Sequence, residues 1–102
     1  MAKPSPEERL DELDALFNAL SHRARRQIVM TLRFRGGAMT AGDIAKRFHH
    51  AWPTTTRHLR VLEASQLIVQ ERQGTHRLYR INPKKLQVLK EWLQWLDSKD
   101  RS

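Results

Sequence analysis

Residues 41–48 and residues 52 to about 65 each have helical periodicity, and only His49-His50-Ala51 separates them. So short a connection obliges the two helices to turn sharply and cross at close range, and Ala45 supplies a small side chain for that crossing. Thr40 with Asp43 three residues later resembles a capping box, with Asp in the usual Glu or Gln place, and it opens the first of the pair. Pro53 falls in the first turn of the second helix, where its missing N–H costs little. At about 100° per residue, Thr55, Leu59 and Leu62 share one side of this helix, and Pro53, Arg57 and Arg60 lie on the other. The second helix therefore has an apolar back and a basic front.

The flanking segments complete the order of elements. Ser5-Pro6-Glu7-Glu8 reads as a helix start, with a capping residue, an N1 proline and early acids. Leu10, Leu13, Phe17 and Leu20 then form one apolar stripe. Ser21 is placed to cap a second helix running to about Arg35, with Ile28, Val29 and Leu32 facing inward, Arg23, Arg25, Arg26 and Arg33 mainly elsewhere, and Gly36-Gly37 as its stop. After residue 65 the period changes. Residues 68–72 and 76–81 read as two strands of a hairpin around Gln73-Gly74-Thr75. Asn82-Pro83 caps a last helix in which Leu86, Leu89, Leu93 and Leu96 form a stripe, with Val88, Trp92 and Trp95 beside it. The fold class is thus mainly α with a small β-hairpin, in the order α-α-α-α-β-β-α, which is that of a winged helix-turn-helix. No repeat, low-complexity tract or long linker divides the chain, so residues 1–102 are expected to form one domain.

Charge narrows the partner. The 102 residues carry a net +8 with a pI near 10.9, and residues 21–80 alone hold twelve basic against three acidic side chains. Such a surplus favours a polyanion, although a solvated basic surface is the plainer alternative. Cysteine is absent, which excludes disulfides, thiolate metal sites and thiol redox sensing. No apolar run reaches membrane-spanning length and no signal-peptide core is present, so a cytoplasmic protein without a membrane partner is expected. No G-x-S-x-G, H-E-x-x-H or Walker-type run occurs, and no catalytic residue, metal site or cofactor is expected.

In a helix-turn-helix the second helix enters the major groove with its N-terminal residues foremost. Threonine offers a hydroxyl to phosphate or base and a methyl to thymine, while arginine can fork onto guanine. Thr54, Thr56 and Arg57 are accordingly candidates for base or phosphate contact, and Arg60 for phosphate; the threonines could equally cap the first turn. Trp52 could pack over the turn or stack against the sugar-phosphate edge. Thr40, at the head of the helix-turn-helix pair, joins this candidate set. Arg72, Thr75, His76 and Arg77 crowd the hairpin tip with Gln73, where a basic ribbon suits phosphate or the minor groove, a solubilising hairpin end being the alternative. His22 is expected to cap or lie on the surface. The inference is a sequence-specific regulator that binds double-stranded DNA; the alternative is a winged-helix module that meets a protein through its last helix without gripping DNA.

The runs NALSHRARRQI (18–28), TAGDIA (40–45), TTTRHLRVL (54–62) and GTHRLYRI (74–81) resemble the ArsR/SmtB-type winged-helix repressors, and the likeness covers about residues 10–96. It implies a homodimeric prokaryotic repressor reading a near-palindromic operator and joined through its first and last helices. Leu10, Leu13, Phe17, Leu86, Leu89, Trp92, Leu93 and Leu96 are then the candidate dimer residues; a constitutive repressor and one released by an unidentified small-molecule inducer read the same in the sequence, so such an inducer stays an open alternative. The family's metal sensors carry a cysteine pair at the head of the helix equivalent to 41–48, or His and acidic ligands on the last helix. Here cysteine is absent and the last helix offers Glu91 and Asp97 without a histidine, so neither site is expected. His49 stands where the family usually has glycine, as a residue that tolerates positive φ. The Trp52-Pro53-Thr54-Thr55-Thr56 opening resembles a branch of the family without metal ligands.

Overall fold

A computed structural model describes residues 7–34, 38–48 and 52–98. The expected Ser5-Pro6 start, the Gly36-Gly37 stop and the His49-His50-Ala51 turn lie outside the described residues. A 3-10 turn, Glu7–Arg9, leads into α1 (Leu10–Leu20), followed by α2 (Arg23–Phe34), β1 (Met39–Thr40), α3 (Ala41–Phe48), α4 (Trp52–Ala64), β2 (Ile68–Gln73), β3 (His76–Ile81) and α5 (Pro83–Leu96). The mainly helical architecture with a small sheet is the one anticipated, with one added strand.

That strand is β1. Met39 and Thr40 pair with Tyr79 and Leu78 on the free side of β3, so the expected hairpin becomes a three-stranded antiparallel sheet in the order β1-β3-β2. Two residues are too few to show an alternating pattern. The strand exists because β3 leaves unpaired N–H and C=O groups beside it, and those groups require partners. β2 extends to Gln73, which pairs with His76, so the turn is only Gly74-Thr75. Gly74 adopts φ 61°, a left-handed conformation that glycine reaches without a Cβ penalty.

The junction of α1 and α2 departs from expectation in an instructive way. Ser21 keeps helical angles (φ −74°, ψ −15°), and its hydroxyl donates to the Asn18 carbonyl at 2.7 Å. An N-cap needs extended angles, so Ser21 closes α1 instead of opening α2. His22 opens α2: its Nδ1 accepts from the Ala24 N–H at 3.1 Å, and its carbonyl accepts from the Arg25 and Arg26 backbone N–H groups. The last turn of α1 contains no basic residue, and arginines from α2 take its carbonyls. Arg25 Nε donates to Ala19 O at 2.8 Å, Arg25 Nη2 to Asn18 O at 3.1 Å and Arg26 Nη1 to Leu20 O at 2.8 Å.

The core gathers Leu13, Leu16, Ile28, Leu32, Ile44, Leu59, Leu62, Leu67 and Ile68, with Met39, Tyr79, Val88 and Leu89 at its edges. The expected single stripe on α1 divides here. Leu13 turns inward with Leu16 and Ala19, while Leu10 (51% exposed) and Phe17 (40%) face outward. The apolar sector of α1 is wider than one neighbour can cover, and periodicity measures that width without saying who covers it.

On α5, Val88 and Leu89 reach the core, whereas Leu86, Leu93, Trp95 and Leu96 stay on the surface. Asn82 caps this helix by accepting from the Lys84 N–H at 3.1 Å, with Pro83 at the first helical position. Two ion pairs, Arg9–Glu91 at 3.0 Å and Lys85–Glu12 at 2.8 Å, tie the start of the chain to α5, and Phe17 meets Trp92 edge-on with centroids 5.0 Å apart.

A Cβ placed on Gly74 would meet no atom within 4 Å, so replacing this residue strains the backbone alone. Gly74→Ala is expected to lower stability by about 1 kcal/mol, seen as a melting temperature lower by roughly 4–8 °C. An unchanged melting curve would mean that the turn can abandon the left-handed conformation.

Candidate nucleic-acid interface

α3 begins where the Thr40 hydroxyl accepts the Asp43 N–H at 3.1 Å, one half of the expected capping box. Ala45 is buried on α3, a helix that packs against α4. On α4, Thr55, His58, Leu59 and Leu62 are all buried, and this fixes the direction of the opposite side. Pro53, Thr54, Arg57 and Arg60 are exposed there and Thr56 is half-buried. Pro53, Thr56, Arg57 and Arg60 line one shallow surface depression. No acidic residue sits in the first turn of α4, so the positive end of the helix dipole is not neutralised from within the helix. Trp52 is the first residue of α4, and its side chain lies outside the described residues.

The sheet register sorts the wing residues by face, because successive side chains of a strand alternate. Ile68 with Ile81, Gln70 with Tyr79, and Arg72 with Arg77 are Cα partners and share one face. That face looks toward α4, since Gln70 Nε2 donates to the Glu63 carboxylate, 3.0 Å from both of its oxygens. Gln73 and His76 belong to the other face, along with Glu71 and Arg80, which form an ion pair of 2.7 Å. Thr75 sits in the turn itself.

Tyr79 is buried on this inner face of the sheet. Burial and then the Glu63 carboxylate push its phenol above the usual value, while Arg77 and Arg60 pull the other way. Charges of α4 and of the wing thus both bear on this ring.

Arg72 directly opposite Arg77 places like charges on neighbouring strands, an arrangement that costs stability in the isolated protein. An anion on this face would remove the cost. The α4 front offers exposed Arg57 and Arg60, and the tip of the wing offers Arg72 and Arg77, cationic groups of the kind that grip a polyanion.

No protein-family model matches the chain. It is 36% identical over 81 residues to the transcriptional repressor SdpR of Bacillus subtilis (strain 168), an alignment covering 79% of this chain and 88% of that protein. The crystal structure of an ArsR family transcriptional regulator superimposes with a TM-score of 0.75 at 28% identity, covering 95% of this chain and 93% of the other. This chain belongs to the ArsR/SmtB family of winged helix-turn-helix regulators. The family fold recurs in a homodimeric winged helix-turn-helix DNA-binding domain from Mycobacterium bovis, with a TM-score of 0.70, 24% identity, and coverage of 97% of this chain and 93% of that one.

Within the family fold, α3 and α4 are the helix-turn-helix pair and β2–β3 the wing. Among the described residues no group of three or more His, Cys, Asp or Glu side chains is placed to hold a metal ion. His49 and His50 lie outside the described residues. Of the candidate dimer residues, Leu13 and Leu89 belong to the protomer's own core, Trp92 packs partly against that core, and Leu10, Phe17, Leu86, Leu93 and Leu96 remain on the surface.

The structure also brings together three residues that were not candidates as a set. Arg25 Nη1 lies 3.3 Å from His58 Nδ1, and the His22 and His58 rings are 4.6 Å apart by centroid. The one local signal was that His58 falls on the same side of α4 as Thr55 and Leu62. Its partners are distant in sequence, and spacing within α4 gives no sign of them.

The Arg72–Arg77 pairing has a direct consequence. Arg77→Gln is expected to leave the free protein as stable as before or more stable by a few tenths of a kcal/mol. The gain should shrink as salt is added, because screening already weakens the repulsion. Thermal melts at low and high ionic strength check this, and a clear loss of stability at low salt would show that the two guanidinium groups do not oppose each other.

Proposed function

We propose that the protein is a sequence-specific transcriptional repressor that binds a near-palindromic DNA operator as a homodimer and acts in the cytoplasm. The observation that carries this reading is the exposed Thr54, Arg57 and Arg60 front of α4, turned outward by the buried Thr55, Leu59 and Leu62 behind it. A helix of this kind fits the major groove while the ribbon follows the flanking phosphates. Arg57, exposed near the leading end of α4, forks onto a base edge. Thr54 and Thr56 contact base or phosphate beside it, and Arg60 meets the backbone. Arg72 and Arg77 reach phosphate or the minor groove from the wing, and Thr75 and His76 contact DNA from its tip. Thr40 already caps α3, so its role at the interface is to present the head of that helix to the backbone.

Dimerisation uses the surface that α1 and α5 build together. Leu10, Phe17, Leu86, Leu93 and Leu96, with Trp95, leave apolar side chains exposed on two helices that ion pairs and the Phe17–Trp92 contact hold side by side. Apolar surface of this extent on a small chain calls for a partner, and a second copy gives the two-fold symmetry that an inverted repeat requires. Repression follows the Bacillus subtilis relative, which bears that description. The dense positive charge of the middle segment speaks against a module that meets only proteins.

Selection from random duplex DNA should return an inverted repeat with half-sites about one helical turn, roughly 10–10.5 bp, apart. Affinity should fall steeply with salt as counterions are released. Sequences without a repeat, or binding indifferent to salt, would defeat the reading. Arg57→Ala should cost about 1–3 kcal/mol of discrimination at particular base pairs; a uniform weakening on every sequence would place Arg57 on phosphate instead. Leu93→Glu should yield a folded monomer by sedimentation, with the preference for paired half-sites over a single half-site lost. Continued dimerisation would move the interface away from α5.

A further inference from the structure

We propose that Arg25 is a positioning residue for α4, holding that helix through a neutral His58, so that a proton on His58 releases the helix and weakens DNA binding. The proposal rests on the reading of α4 as the DNA-reading helix. All three guanidinium nitrogens of Arg25 are engaged. Nε and Nη2 donate to the Ala19 and Asn18 carbonyls at the end of α1, and Nη1 points at His58 Nδ1 on α4. One rigid, planar side chain on α2 thereby joins three helices. Hydrophobic burial resists separation of α4 from the core but is non-directional, whereas this contact fixes an angle and a register.

The contact also fixes the state of the ring. A guanidinium has donors and no acceptor, so His58 Nδ1 must supply a lone pair, and the proton of the neutral ring sits on Nε2. His22 is bound by the same rule, because its Nδ1 accepts the Ala24 N–H at the start of α2. A further proton on either ring would have to go to Nδ1, where an N–H donor already faces it. On His58, which is only 6% exposed, the added charge would also oppose the Arg25 guanidinium in a partly buried setting. Among the described residues, Arg25 from α2 and His22 from the α1–α2 junction both face His58. On α4 itself, Arg57 is exposed on the far side. Histidine is the side chain whose charge ordinarily changes between pH 5 and 8, so the joint is built to respond to mild acid.

The sign of the effect sets this joint apart from other histidines. Protonating His76 at the wing adds a cation beside DNA and tightens binding, while protonating His58 loosens it. Affinity of the full-length protein for its selected duplex is measured from pH 8 to pH 5.5 at constant ionic strength, in a His76→Asn background that removes the wing's gain. The expected result is a fall of about tenfold toward low pH. His58→Asn, whose Oδ1 accepts at the Nδ1 position without titrating, should retain the pH 8 affinity and lose the fall. Arg25→Ala should bind weakly throughout and show no further loss. Affinity that holds or rises in acid in the His76→Asn background, or a fall that persists with His58→Asn, overturns the proposal.

Amide shifts of α4 in DNA-free protein supply a second readout. They should move with pH in the wild type, in step with the His58 ring resonances, and stay still in His58→Asn. α4 amides that ignore the ionisation of His58 overturn the proposal whatever the DNA result. Absence of duplex binding at pH 8 would instead count against the DNA-reading assignment of α4, and the amide titration alone would then decide the positioning role.

Discussion

Everything on the functional side of this protein depends on how α4 is held from behind. Leu59 and Leu62 are sealed in the core with Thr55 and His58 beside them, so a helix about 10 Å across has only one way to face. Once those side chains are inside, Thr54, Arg57 and Arg60 are outside. No separate device is needed to expose them, because a helix cannot turn one face inward without turning the other outward. The shortness of α3 and the small Ala45 buried on it make the same point from the neighbouring helix.

Around that anchor the protein uses polar interactions for direction and apolar ones for cohesion. The end of α1 is closed by arginines that belong to α2, so the junction between these helices is a shared structure and not two independent caps. The wing is closed by a two-residue turn and braced against α4 by Gln70 and Glu63. These contacts are individually modest in water, and their value lies in geometry. They decide the angle at which the wing meets α4. The close cross-strand arginines of the wing are the counterpart: a local cost that is relieved when an anion arrives.

Much of the architecture was legible in the sequence because its signals were local. The Asn82-Pro83 cap, the Thr40 cap of Asp43 and the 3.6-residue spacing of Leu59 and Leu62 each concern neighbours within one turn; the first and last appear as anticipated, and of the capping box the Thr40 half does. β1 was not legible, because two residues form a strand only when another edge awaits them. Ser21 closes α1 and does not open α2: residue type favours a cap, but backbone angles at a two-residue junction decide which end is capped. The α1 stripe is apolar as its spacing indicates, but spacing does not divide it, since Leu13 and Phe17 look alike in sequence and differ only in which neighbour reaches them. The basic front of α4 was readable from periodicity, whereas the alignment of Arg72 and Arg77 on the face toward α4 required the register of the hairpin.

The sequence by itself determined the elements, their order, the polarity of α4 and the concentration of positive charge, because these follow from propensity and spacing along the chain. Only the tertiary structure decided which apolar residues serve the protomer's own core, how the wing faces the helix it flanks, and that one guanidinium joins α1, α2 and α4 through His58. Those outcomes depend on contacts between residues far apart in sequence. Such contacts exist only after the chain has closed its loops and brought those distant residues together.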